Sequence, residues 1–126
     1  MSKKSNYILE VKLPHLAPLK FVTGILFASE EKARTQVTFE TPPTLAMLVE
    51  SAAQSACALR STKDVKTAFL VSMKNVSLLQ QAINKSFEVN VVNTHNFGNM
   101  NLIDFEVYDS STIIASGSIT LAIEDK

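Results

Sequence analysis

At 126 residues the chain is sized for one domain, residues 1–126, and is too short for two. Hydrophobic residues make up 46% and charged residues 19%, a composition that builds a core and argues against disorder. The 12 basic and 12 acidic residues cancel, so no basic stripe marks a nucleic-acid binder and no net charge opposes self-association.

The start, Met1 to Asn6, is basic, but no long apolar stretch follows it, unlike a signal peptide. No apolar run approaches the roughly 20 residues of a membrane helix. Cys57 is the single cysteine, which suits a reducing compartment, and a cytoplasmic protein is expected. Pro14 and Pro18 bracket an irregular piece, Leu13 to Leu19. Thr35, Val37 and Phe39 alternate with Gln36, Thr38 and Glu40, as in a strand with one covered face.

A helix follows. Thr41 is the expected cap, Pro42 and Pro43 suit its first turn, and it runs through Leu59. Leu45, Leu48, Val49, Ala52, Ala56 and Leu59 recur at helical spacing. Ala46, Ala53, Cys57 and Ala58 keep the flanks small and apolar, so the helix is expected to be buried on most sides. Alternation then returns: Phe69, Val71 and Met73, with Ala68 and Leu70 apolar on the second face; Phe87, Val89 and Val91; Ile103, Phe105 and Val107; and Ile113, Ala115, Gly117, Ile119, Leu121 and Ile123. Hairpin turns are expected at Asn96-Phe97-Gly98-Asn99 and Asp109-Ser110-Ser111. Two strands, a buried helix and about four further strands read as α+β, with one long antiparallel sheet curved round the helix. Its outer face still carries apolar residues, for which a partner subunit is the simplest cover.

The residues carry a resemblance to the hotdog fold. Leu13-Pro14-His15-Leu16-Ala17-Pro18, running on to Val22, resembles the opening motif of the bacterial β-hydroxyacyl-acyl-carrier-protein dehydratases. Leu48-Val49-Glu50-Ser51-Ala52-Ala53-Gln54-Ser55-Ala56 is similar to their central-helix signature. Met73-Lys74-Asn75-Val76 and Ile119-Thr120-Leu121-Ala122-Ile123 resemble two of their strand motifs. Where those enzymes place a glycine-rich loop with the histidine of a His/Glu pair, this chain has Val37-Thr38-Phe39-Glu40-Thr41-Pro42-Pro43, with neither glycine nor histidine. Dehydration of a 3-hydroxyacyl thioester needs both a base and an acid, so dehydratase activity is not expected.

Glu50 is the first candidate for chemistry. A carboxylate on a buried helix titrates high, which suits a base or acid; the alternative is a solvated glutamate at the helix edge. Gln54, one turn on, would support Glu50 or a substrate carbonyl, or is simply an exposed amide. His15 and His95 read as structural, Cys57 as core, and no ligand spacing for a metal exists. The resemblance implies a thioester arm along a dimer interface near the helix start, polarised by backbone N–H groups near Leu45 and Ala46. Ala46 and Ala53 would leave space for an acyl chain, and Phe39, Leu70, Val71 and Met73 would line it. Lys63, Lys66, Lys74 and Lys85 are candidates for phosphate contacts, with scattered solubilising charge as the alternative.

Three functions follow. The first is a homodimer, or a higher oligomer, that binds acyl-coenzyme A or acyl-carrier protein without dehydrating it. The second is an acyl-coenzyme A thioesterase using Glu50. The third is a structural or regulatory dimer with no ligand. No cofactor is expected beyond the coenzyme A or phosphopantetheine thioester as ligand, and neither nucleic acid nor membrane is an expected partner.

Overall fold

The computed structural model describes the backbone of residues 21–59 and 65–125, and the side chains of residues 21–59 and 70–122. The strands are β1 (Val22–Ala28), β2 (Lys32–Thr38), β3 (Val65–Leu78), β4 (Ser86–Phe97), β5 (Met100–Asp109) and β6 (Thr112–Asp125), and α1 spans Leu45–Ala56. They form one six-stranded sheet in the order β1-β2-β4-β5-β6-β3, and every neighbouring pair is antiparallel. β1 and β3 are therefore its two edges.

Alternation decides which face meets the helix. Ala33, Thr35 and Val37 of β2, Phe87, Val89 and Val91 of β4, and Ile103, Phe105 and Val107 of β5 are all buried. Their counterparts across the ladders share that face: Val37 opposes Phe87, and Val91 opposes Phe105. Against them lie Leu48, Val49, Ala52, Ala53 and Ala56 of α1. Burying each of the larger side chains stabilises the fold by about 1.5–3 kcal/mol. The small alanines let the helix sit close to the sheet.

The helix begins three residues later than its sequence suggests. Thr44, in an extended conformation, is the N-cap, and its Oγ1 accepts the Met47 N–H at 3.2 Å. Residues that precede proline are steered away from helical angles. Thr41 and Pro42 each do so, and Thr44 is the first hydroxyl beyond them. At the other end Cys57, Ala58 and Leu59 donate to the carbonyls three residues back, a tight final turn that ends the regular helix at Ala56.

Register shifts interrupt simple alternation in several strands, and in two of them they move residues expected to face the core. In β3 the register slips between Leu70 and Ser72, so Leu70 opposes Leu121 and Met73 opposes Ile119, both inward residues. The expected Phe69-Val71-Met73 face is thus broken at Val71 by a bulge. In β6 a shift beside Tyr108 buries Ile114 in place of Ile113. Both hairpins turn where expected: Gly98 lies between β4 and β5 with φ 59°, and Ser110 between β5 and β6 with φ 58°. Gly117 is required by a close approach, because a Cβ there would stand 2.7 Å from Val76 Cγ2 and 2.9 Å from Val76 Cα.

Candidate functional site

Helical periodicity puts Ala46, Glu50, Ala53 and Cys57 on one stripe of α1. Ala46 is exposed, Glu50 and Cys57 are half-buried and Ala53 is fully buried. Glu50 is thus neither a core residue nor a fully solvated one. At the head of the stripe the Thr44 side chain takes the Met47 N–H, and the N–H groups of Leu45 and Ala46 stand in the first turn, where a helix offers them no acceptor of its own. A developing negative charge on a carbonyl oxygen is favoured at such a helix terminus.

Gln54 is not a surface amide. It is 7% exposed, and its Oε1 accepts the Phe21 N–H at 2.8 Å. The Phe21 carbonyl accepts from Thr38 N, and its ring lies 4.6 Å from that of Phe39. Gln54 therefore fixes the start of β1 against the helix one turn beyond Glu50. On a neighbouring stripe Ser55 Oγ donates to Ser51 O at 2.7 Å and lies 2.7 Å from Thr35 Oγ1 on β2. Since the one Ser55 hydroxyl hydrogen goes to Ser51, Thr35 is the donor in the second bond. Ser51 Oγ donates to the Leu48 carbonyl, so these buried hydroxyls are all paired.

β3 supplies the apolar residues closest to the sheet edge. Leu70 is half-buried, whereas Val71 is 52% and Met73 57% exposed. By register Leu70 and Met73 share the helix-facing side, and α1 approaches β3. Leu45, half-buried, packs against the core from the first turn of the helix. Phe39 lies elsewhere: it is 3% exposed and sits between Phe21 and Phe87, with the Phe87 ring centroid at 6.0 Å.

His15, Lys63 and the Lys66 side chain fall outside the described residues. His95 is an exposed residue near the end of β4, its ring stacked on Phe97 at 6.0 Å and 2°. Lys74 and Lys85 are exposed. Among the described residues no three His, Cys, Asp or Glu side chains gather as a metal site requires, and no helix is long and apolar enough to cross a membrane.

Sequence reasoning missed Phe21 and the Thr35-Ser51-Ser55 hydroxyls. The hydroxyls carried a signal, since Ser51 and Ser55 stand four apart, one turn, on a helix that is otherwise apolar. Also missed was a groove of about 450 Å³ on the outer face, whose lining joins the polar Asn75, Asn90, Asp104, Glu106, Ser116 and Ser118 to the apolar Val92 and Phe105. Within it Ser118 Oγ donates to Asp104 at 2.6 Å. The polar side chains point away from the helix and from Glu50.

No family model matches the chain, and no curated protein matches it. Solved structures do. The dehydratase heterocomplex ApeI:P from Xenorhabdus doucetiae is similar with a TM-score of 0.76 at 16% identity, over 93% of this chain and 92% of that one. A homologue of HP0420 from Helicobacter felis aligns with a TM-score of 0.69 at 18% identity, over 92% of this chain and 86% of that one. A hypothetical thioesterase with coenzyme A from Streptococcus pneumoniae aligns with a TM-score of 0.64 at 6% identity, over 81% and 85% of the two chains. The likeness is one of fold. This chain has the hotdog fold, and its fold neighbours include dehydratase and thioesterase-like proteins.

Proposed function

We propose that this chain binds an acyl thioester, as acyl-coenzyme A or acyl-carrier protein, and does not dehydrate it. The observation that carries the reading is the pairing of a half-buried carboxylate, Glu50, with small residues along one helix stripe and an exposed apolar edge strand beside it. In this reading the thioester group lies over Ala46 and Glu50, the buried Ala53 packing beneath them, with its carbonyl toward the N–H groups of Leu45 and Ala46. Leu70, Val71 and Met73 cover the pantetheine arm and the first acyl carbons, Gln54 holds the helix in position, and Phe39 closes the inner end. A fold neighbour carries coenzyme A, which supports that ligand class. The loop before the helix holds no histidine to work with Glu50, which supports the absence of dehydration.

The chain works as a dimer in this account. Among the described residues β3 is an edge strand with no strand paired along its outer side, and it exposes Val71, Met73 and Leu78. Pairing with a second copy along this edge satisfies the hydrogen-bonding groups of that side and extends the sheet.

A second reading rests on the first-turn N–H groups of the helix that carries Glu50. There the carboxylate attacks the thioester carbonyl, or activates a water that does so. The oxyanion forms toward Leu45 and Ala46, the C–S bond breaks, and coenzyme A leaves as a thiol with the proton that the water gives up; after direct attack, that water hydrolyses the Glu50–acyl anhydride and frees the carboxylate.

Native mass spectrometry with a panel of acyl-coenzyme A esters tests all of this. An intact ester, one per site on a dimer, supports the binding protein. Free coenzyme A accumulating over time, and ceasing with Glu50→Gln, supports hydrolysis. A species that binds no ester overturns both and leaves a structural dimer.

A further inference from the structure

An acyl chain whose thioester lies at Glu50 has two directions to take: inward between helix and sheet, or outward along the edge strand. The described interior is filled. Leu48, Val49, Ala52, Ala53 and Ala56 of the helix are each at most 3% exposed, and the sheet residues beneath them are equally covered. Beside the helix the interior is taken up by three phenyl rings, one of them anchored through the Phe21 N–H to Gln54. Phe39 stands 4.6 Å from Phe21 and 6.0 Å from Phe87, centroid to centroid, and all three rings are buried. A long chain could enter only by displacing these rings, and closely packed interiors resist such rearrangement. The outward direction is open, since Met73 faces the helix side of the edge strand and remains largely exposed.

We infer that the site takes short acyl groups, the Phe21-Phe39-Phe87 stack excluding longer tails from the helix–sheet interior. This rests on the thioester reading above and adds to it the class of acyl group. Recognition is confined to the thioester and the first few carbons, and the remainder of a longer tail contributes no affinity.

Calorimetric titration of the full chain with acetyl-, butyryl-, octanoyl- and palmitoyl-coenzyme A, each below its micellar concentration, tests the inference. A methylene that becomes buried strengthens binding by about fourfold. The expected result is an affinity that levels off after butyryl, with octanoyl and palmitoyl esters equal within about threefold. A rise of about fourfold per methylene that continues to palmitoyl overturns the inference while leaving the thioester reading intact. Failure of every ester to bind overturns the thioester reading and the inference with it. Phe39→Ala adds an independent measurement: it is expected to raise the affinity for palmitoyl over that for butyryl by at least about tenfold. Equal effects on both esters count against the stack as the barrier. If Phe39→Ala does not fold, the wild-type series decides alone.

Discussion

The Oε1 of Gln54 accepts the backbone N–H of Phe21 at 2.8 Å, joining the start of β1 to the last turn of the helix inside the core. Phe21 in turn packs on Phe39, which leads into the helix cap at Thr44. One side chain thus ties together the two ends of the segment that precedes the helix.

Gln54→Leu leaves that buried N–H without an acceptor, at a cost of about 1–3 kcal/mol. Chemical denaturation measures the loss. Hydrogen exchange at the Phe21 amide should accelerate, while amides in the middle of β5 follow only the change in global stability.

The Thr35–Ser55 pair behaves differently. Ser55→Ala alone leaves the buried Thr35 hydroxyl without its acceptor at 2.7 Å and costs about 1–3 kcal/mol, whereas Thr35→Val alone leaves Ser55 donating to Ser51 and costs less. The double substitution removes both partners, so its cost should fall well short of the sum. A double-mutant cycle by denaturation measures the coupling.

Gly117→Ala places a methyl 2.7 Å from Val76 Cγ2, 2.9 Å from Val76 Cα and 3.2 Å from Phe105 Cε2. Overpacking of this kind costs about 1–3 kcal/mol. Val76→Ala in the same chain should restore only part of the loss, because the clash with the residue 76 backbone persists whatever side chain stands there. Thermal melts of the single and double variants give the comparison.

Tyr108 donates to Glu106 Oε1 at 2.9 Å. That hydrogen bond, then burial and the Glu106 charge, raise the phenol above its ordinary value of 10.0, against an opposing pull from Arg34. The unfolded chain therefore releases this proton first as the pH rises. The Tyr108 contribution to stability is complete below about pH 10 and declines as the pH climbs through the raised value. Glu106→Gln, in a Tyr7→Phe background, should shift the phenolate absorbance titration to lower pH.

Much of the fold was legible because alternation and helical spacing are direct records of which side is covered. Val89, Val91, Phe105 and Ile119 declared their face in the sequence and hold it in the structure. What failed was phase. A bulge at Val71 and a shift beside Tyr108 each insert a residue that no local pattern announces, and each turns the following side chains to the other face. The cap failed for a local reason, the bar that successive prolines set against an early helix start. At the site, the stripe of Ala46, Glu50 and Ala53 was readable from spacing alone. The buried role of Gln54 was not, since its partner is a backbone group 33 residues away.

The most direct test of the central claim is where a thioester touches the protein. Nuclear magnetic resonance of methionine methyl groups reads Met73, on the edge strand beside the helix, and Met100, at the far β4–β5 hairpin, in one spectrum. Titration with butyryl-coenzyme A should move the Met73 signal to saturation and leave Met100 in place. A saturating ligand that leaves Met73 unmoved, or that moves Met100 instead, would contradict the account.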